Sequence, residues 1–494
     1  MSRPTARRIA LAVALLLHAC EHTAPPAKPP NVVVISADTL RFDRLNTYGY
    51  RARATSANLD RLAADGIVFE TAITASPWTM PAHMSLFTGL SPSAHGMVTP
   101  LASLQAQQQR NEVQRLPSER VTLAEALADH GYRTAAFTGG GTMDPRIGFD
   151  QGFSVYRTAM FKMSDRNMGE MLAWLRERRG EPFFLFWHTF ETHFPYVDPS
   201  FLSEVVPEAV AGAAGPFLRQ LGAQLADEGI SDPRLGEAVQ AFAQLGLLNR
   251  DACEALYTGA VRSVDRWLGT LLDALRAEGL YDDTLVVFAS DHGEEFADHN
   301  PTIFYNGHGH TMFDELVHIP LVVKLPSSVH AGTRVAAPVR LIDVYPTVLD
   351  VVGLAPGAAA LEGESLRPLW EHPDRVAARA ALVEATAFGY ELKAIRTARR
   401  KYIVGAADAT VAAEGRQYVS EDPTLRWLFD LAKDPKETVN LLAPPVPDAL
   451  AEEAALLHRM LRALVPRALG ATERTRLDDE TVERLRALGY VADE

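Results

Sequence analysis

The chain has 494 residues, with 48 Lys and Arg against 62 Asp and Glu, giving a net charge of −14. That balance excludes a nucleic-acid binder, which needs a basic surface to neutralise phosphates. Hydrophobic residues at 47% and charged residues at 22% exclude wholesale disorder, and two cysteines exclude a disulfide framework.

At the N-terminus, Arg3, Arg7 and Arg8 precede an apolar run from Ile9 to Leu17. The run is too short to span a bilayer and has the shape of a secretory h-region. It ends Leu17-His18-Ala19-Cys20, similar to a lipobox. Residues 1–20 are therefore expected to be a lipoprotein-type signal peptide. The chain would then be secreted or periplasmic in a bacterial cell envelope, lipid-anchored to the membrane at Cys20. Four prolines make residues 21–30 an extended tether.

From Asn31 onward, near-continuous apolar runs alternate with amphipathic stretches, the pattern of an α/β sheet with parallel strands covered on both faces. Asn31–Ser36, Thr134–Thr138, Pro182–His188 and Thr284–Ser290 read as buried strands. Ala57–Asp65, Leu123–His130 and a long segment from Arg250 to Glu278 read as helices, and the other cysteine, Cys253, falls in the last of these. The Ala- and Leu-rich stretch Pro199–Leu248 reads as a helical insertion within residues 197–250. A break near Pro373 divides a large unit, 31–372, from a smaller one, 373–494. In the latter, Leu382–Ile403 is strand-like, and a helix opens with Asp448 as its N-cap.

Three of the four strands end in polar residues: Asp38 after the first, His188 then Glu191 and His193 at the third, and Asp291-His292-Gly293-Glu294 after the fourth. Ligands of open α/β sheets lie beyond the carboxyl ends of the strands, so these residues should converge. A lone Asp after a strand is usually a cap or turn former, but Asp38 with Asp291-His292 suits a divalent ion such as Zn²⁺ or Mn²⁺. Between the strands, Thr79-Met80-Pro81 opens a short helix that Gly89 closes. Thr79 could be merely the N-cap. It could equally be a nucleophile at a helix end that favours anions, provided a metal activates its hydroxyl.

Taken in order, these residues resemble the sulfatase branch of the alkaline phosphatase superfamily. The matching motifs are Asp38-Thr39-Leu40-Arg41, Asn58-Leu59-Asp60-Arg61-Leu62, Ser85-Leu86-Phe87-Thr88-Gly89, His193-Phe194-Pro195, Ser290-Asp291-His292-Gly293-Glu294, Asp343-Val344-Tyr345-Pro346-Thr347 and Phe429-Asp430-Leu431 with Asp434-Pro435. The resemblance implies an alkaline-phosphatase-like mixed sheet sandwiched by helices, with a small C-terminal α+β domain. It also implies a sulfatase-like catalytic domain over 31–372 and a metal held by Asp38, Thr79, Asp291 and His292.

The chain departs from the family pattern where sulfatases carry a Cys or Ser, oxidised to formylglycine, in C-x-P-x-R. Here that pentad is Thr79-Met80-Pro81-Ala82-His83, and the family's tandem Asp pair is reduced to Ala37-Asp38. Thr cannot become formylglycine. The resemblance therefore points to the Thr-nucleophile relatives, which act on phosphate or phosphonate esters, and Thr79 is expected to attack such an anionic ester in line.

His193, His83 and one of His308 or His310 are the candidate proton donors and oxyanion partners. Which of His308 and His310 faces inward stays open, because a loop holds no side-chain period. A divalent ion (Zn²⁺, Mn²⁺ or Ca²⁺) is expected at one site, with Glu191 and His193 as candidates for a second. No obligate protein partner is evident. The competing functions are a sulfuric ester hydrolase, an envelope phosphoethanolamine- or phosphoglycerol-type transferase, and a non-catalytic binder of anionic glycans.

Overall fold

The computed structural model describes residues 29–98, 112–158, 161–178, 180–228, 232–299, 306–357, 360–372, 379–387, 391–405, 425–465 and 473–487. The expected signal peptide and Cys20 anchor, most of the expected tether and the break near Pro373 lie outside them. Among the described residues no helix is long and apolar enough to cross a membrane.

The large unit is built on a nine-stranded sheet. Its central strands, Asn31–Ala37, Phe183–Thr189 and Thr284–Ser290, are buried along their whole length. Both faces must be apolar because both are covered. Val32 and Val34 enter one core while Val33 and Ile35 enter the other, following the two-residue period of a strand. Asn31–Ala37 pairs in parallel with both Phe183–Thr189 and Thr284–Ser290. Arg133–Phe137 and Val155–Arg157 continue the parallel half.

The sheet is mixed rather than parallel throughout. His318–Lys324 runs antiparallel to both Thr284–Ser290 and Ile67–Ile73. Pro320 sits where its register shifts between Ile319 and Leu321, so the missing N–H falls at an irregularity in the ladder.

The helix Arg250–Ala277 packs on this sheet, caps itself through Asn249 and buries Cys253. The insertion contributes Glu208–Glu228 and Asp232–Gln244, whose Leu218, Leu221, Leu225, Ala238 and Phe242 join the second core.

The small unit is an antiparallel sheet of Ala381–Val383, Leu392–Arg396, Arg400–Gly405 and Arg426–Asp430, covered by the helix Asp448–Leu464. That helix takes Pro447 as its N-cap, with Asp448 as its first residue instead. Lys401 docks this sheet on the large unit, its Nζ 2.6 Å from Asp314 Oδ1 and 2.8 Å from Glu437 Oε1. Beyond it, Glu473–Arg476 returns to the large unit and pairs with Glu112–Arg115, while Val482 and Leu485 enter the first core.

Candidate active site

Register places the chemistry. Ser36 lies opposite His188 and Ala37 opposite Ser290, so Asp38, His188 and Asp291-His292 reach the carboxyl edge at one level. The helix Thr79–Thr88 runs beneath that edge. All ten of its residues are buried, and it stops at Gly89, whose φ of 66° needs no Cβ. Its N-cap is Trp78, which makes no side-chain cap. Thr79 is therefore not the cap. Its hydroxyl stands at the positive end of the helix, 3.3 Å from Asp38 Oδ2 and 3.3 Å from His292 Nε2.

The donor set is fixed by its surroundings. Asp291 Oδ1 accepts the backbone N–H of Thr39 at 3.2 Å and of His292 at 2.9 Å. His292 donates its Nδ1–H to Gly293 O at 2.9 Å, so the lone pair of Nε2 faces Thr79 and Asp291 Oδ2, 3.3 Å away. His188 Nε2 lies 3.0 Å from Asp38 Oδ2. His83 places Nδ1 2.9 Å from Thr79 O and Nε2 2.9 Å from Ser36 Oγ, tying the Thr79 backbone to the first strand.

Burial raises Asp38 to about 7 and Asp291 well above the usual carboxylate range, and it holds His83, His193 and His292 well below ordinary histidine and His188 at about 3. Two buried carboxylates among neutral imidazoles suit a bound cation, whose charge would offset the burial of theirs. Asp38 Oδ1 and Asp291 Oδ2 are both buried without a hydrogen-bond partner. Asp38, Asp291 and His292 offer ligand atoms within 4.8 Å of one another, and a divalent ion fits them.

His193 donates Nδ1–H to Phe194 O at 2.8 Å, which leaves Nε2 as an acceptor, buried and without a partner. Its ring stacks on Phe190 with centroids 4.7 Å apart. His308 is the inward member of its pair, its ring 4.5 Å from His292 and 5.2 Å from His193, with Nδ1 3.0 Å from Glu294 Oε1. His310 turns away to Glu295 at 3.2 Å and is not brought into the site.

The second metal pair does not form. Glu191 accepts the Met163 N–H at 2.6 Å and joins no metal-capable group among the described residues. Trp78 is core, donating its indole N–H to Ala385 O at 2.7 Å.

Sequence reasoning missed three contributions. Lys162, buried with its nitrogen pushed down to about 8 by burial, donates to the carbonyls of Phe190, Glu191 and His193 at 2.8–3.0 Å and shapes the His193 turn. Its one signal was a lysine inside the apolar run Met160–Met163. Glu294, although within a quoted motif, was given no role; it orients His308 and accepts from Tyr196. The segment Glu384–Ala387 of the small unit had no signal. Ala385 O receives both Ser76 Oγ and Trp78 Nε1, and Ala387 N donates to Gly309 O.

A sheet of this kind, with the Thr79 helix under a carboxylate–imidazole centre, defines an ester hydrolase of the alkaline-phosphatase-like class. The sequence profile of the sulfatase family matches residues 30–354, and that of the N-sulphoglucosamine sulphohydrolase C-terminal region matches residues 307–464. The chain belongs to the sulfatase family, whose members are typically dependent on a divalent metal. It is 27% identical to an ulvan-active sulfatase of Formosa agariphila, over 93% of this chain and 87% of that one. To human arylsulfatase A it is 25% identical, over 98% and 96%.

Among solved structures, one bound to its substrate D-glucosamine-2-N,6-O-disulfate superposes with a TM-score of 0.64 at 18% identity, covering 88% of this chain and 97% of that one. The phosphonate monoester hydrolase of Agrobacterium radiobacter gives a TM-score of 0.62 at 24% identity, over 88% and 96%. These likenesses bear out the mixed sheet and the small C-terminal antiparallel domain.

Proposed function

We propose that this chain hydrolyses sulfuric esters of an anionic substrate, with Thr79 as the nucleophile. The site observation that carries the nucleophile is the Thr79 hydroxyl, 3.3 Å from both Asp38 Oδ2 and His292 Nε2 at a buried helix N-terminus. The substrate class rests on the relatives, whose names are chiefly those of sulfatases, and it ranks ahead of the phosphoester expectation drawn from the sequence. A phosphate or phosphonate ester is the second reading. It is favoured by Thr79 itself, which lacks the second hydroxyl through which a hydrated formylglycine releases sulfate by elimination.

Asp38, Asp291 and His292 would hold the divalent ion, which when bound supplies positive charge to the ester oxygens and to the attacking hydroxyl. Thr79 Oγ bonds to the central atom as the bond to the leaving alkoxide breaks, and its proton passes to its hydrogen-bond acceptor, Asp38 Oδ2. His308, oriented by Glu294, protonates the leaving oxygen. His193 Nε2 then takes a proton from the water that attacks the threonyl ester, and Asp38 returns its proton to Thr79 Oγ as that bond breaks, which restores the hydroxyl and releases the inorganic anion. The envelope location with an anchor at Cys20 belongs to the same proposal and rests on residues 1–20.

Nitrophenyl sulfate, phosphate mono- and diester, and phosphonate substrates test it with wild type and Thr79→Ala. Fastest turnover of the sulfate, abolished by Thr79→Ala, is the expected result. Faster phosphorus-ester turnover would install the second reading, and full activity in Thr79→Ala would overturn the nucleophile. No turnover with tight binding of a sulfated glycan would make the chain a binding protein.

A further inference from the structure

The donors around Thr79 do not stop at Asp38, Asp291 and His292. Asp38 Oδ2 to Thr79 Oγ1, Thr79 Oγ1 to His292 Nε2, and His292 Nε2 to Asp291 Oδ2 are each 3.3 Å. His188 Nε2 extends this run, 3.0 Å from Asp38 Oδ2. Ligands bound at about 2.0–2.2 Å to one ion stand roughly 3.0–3.5 Å apart, and each of these four consecutive pairs has that spacing. His188 also groups with Asp291 and His83, their ligand atoms lying within 4.8 Å of one another, and Asp291 is shared between that group and the one with Asp38 and His292.

We propose that His188 is an additional nitrogen ligand of the ion held by Asp38, Asp291 and His292, and that the centre is built for a borderline transition ion such as Zn²⁺ rather than for Ca²⁺ or Mg²⁺. This rests on the metal centre of the proposed function.

Three observations separate His188 from its neighbour His83. His83 has both ring nitrogens engaged within the protein, by Thr79 O and Ser36 Oγ, and its Nδ1 stands 3.4 Å from Asp291 Oδ2. It therefore holds the nucleophile's helix to the sheet and steadies Asp291 from behind. His188 Nε2 has the Asp38 carboxylate in front of it, and that carboxylate keeps its other oxygen, Oδ1, buried and unpartnered. His188 is also set by the sheet itself. It occupies the last but one residue of Phe183–Thr189, in register with Ser36, so its ring is delivered to the edge as rigidly as Asp38. Ca²⁺ and Mg²⁺ take oxygen ligands, and two imidazoles among four protein side chains are poorly matched to either.

The alternative role for His188 is a hydrogen bond from Nε2–H to Asp38, and the test separates the two. The metal-free chain, its His188→Ala and His188→Gln variants, and Asp291→Asn are titrated with Zn²⁺ and with Ca²⁺ against a chromophoric chelator. The Co²⁺-loaded forms are compared by visible absorption. A glutamine amide can still donate to Asp38 but is a poor ligand for Zn²⁺. Both His188 variants should lose more than the ~10–100-fold in Zn²⁺ affinity that an outer hydrogen-bond partner costs, leave weak Ca²⁺ binding unchanged, and alter the Co²⁺ ligand-field bands.

Wild-type Zn²⁺ affinity and an unchanged Co²⁺ spectrum in His188→Gln would overturn the assignment, as would binding of Ca²⁺ as tight as that of Zn²⁺. Two tightly bound Zn²⁺ per chain would overturn the single-ion form. If Asp291→Asn also keeps wild-type affinity, the metal centre itself is misplaced and the proposed function falls with it. If Asp291→Asn loses the ion while the His188 variants keep it, only this inference falls.

Discussion

Lys393 offers the sharpest test of how the small unit supports the Thr79 helix. Its Nζ lies 2.6 Å from Glu384 Oε2 and 3.4 Å from Glu391 Oε1, and all three side chains are buried. Glu384 also accepts the Ser93 N–H at 2.7 Å and the Ser93 hydroxyl at 2.6 Å. Lys393→Met keeps most of the volume and removes the cation. Glu384, whose carboxyl Lys393 holds below the usual range despite burial, is then left as an uncompensated buried charge. Breaking one side of such a pair costs about 3–5 kcal/mol. Glu384→Gln with Lys393→Met removes both charges and keeps an acceptor for Ser93, so the double variant should recover about half of that loss.

Glu384 N is bonded to Ala75 O, and Ala385 O anchors Ser76 and Trp78, so the same change loosens the start of the Thr79 helix. Denaturant unfolding at constant m gives the stability term, and kcat of the folded variant gives the positioning term. A loss under about 1 kcal/mol, or single-variant effects that simply add in the double variant, would refute the charge argument. Wild-type kcat in a destabilised Lys393→Met would refute the link to Thr79.

Gly140→Ala should cost about 2–4 kcal/mol and lower kcat, because φ 76°, ψ 161° suits only glycine and the new Cβ would stand 2.4 Å from the Phe190 ring that stacks on His193. Thermal unfolding and kcat at wild-type values would contradict this. His308→Ala should lower kcat/KM by at least about 100-fold while His310→Ala stays within about twofold, and the reverse order would undo the assignment of the inward histidine. His95 is buried, accepts Met97 N–H at Nδ1 and lies 3.0 Å from Ser85 Oγ through Nε2; burial pushes it down to about 3. The unfolded chain therefore binds a proton near pH 6.5 that the folded chain refuses. This contribution is fully present above 6.5 and is lost at about 1.4 kcal/mol per pH unit as pH falls toward 3. Unfolding free energies from pH 7 to 4 should be less steep by one proton in His95→Asn, and identical slopes would refute it.

Parts of this site could be read from sequence because they obey short-range rules. Thr284–Ser290 and Asn31–Ala37 announce themselves as continuous apolar runs, and the carboxyl-edge rule then brings Asp38 and Asp291 together across 253 residues of chain. Pro81 and Gly89 bracket the Thr79 helix by backbone preference alone. His318–Lys324 escaped because Pro320 breaks a run that otherwise reads as a strand, and it is this strand that makes the sheet mixed. The choice between His308 and His310 needed a partner on another segment. Glu294 and Glu295 are adjacent, and Glu295–Phe296 pairs with Asn306–Gly307, so the two carboxylates receive the two histidines on opposite sides. The contact of Ala385 with Ser76 spans 309 residues and involves a backbone carbonyl, which no pattern of side chains encodes.

The departures from the family pattern form one electrostatic change rather than separate substitutions. Where the family pattern carries an arginine, this chain has His83. Burial keeps His83 neutral, and its nitrogens serve Thr79 O and Ser36 rather than an anion. His83 thus brings no fixed positive charge beside Thr79, in a chain whose net charge is −14. In the proposed reaction the positive field for an anionic ester would come from the Thr79 helix end and from an ion held by Asp38, Asp291 and His292, and that ion would carry a larger share of catalysis than in a site with a built-in guanidinium.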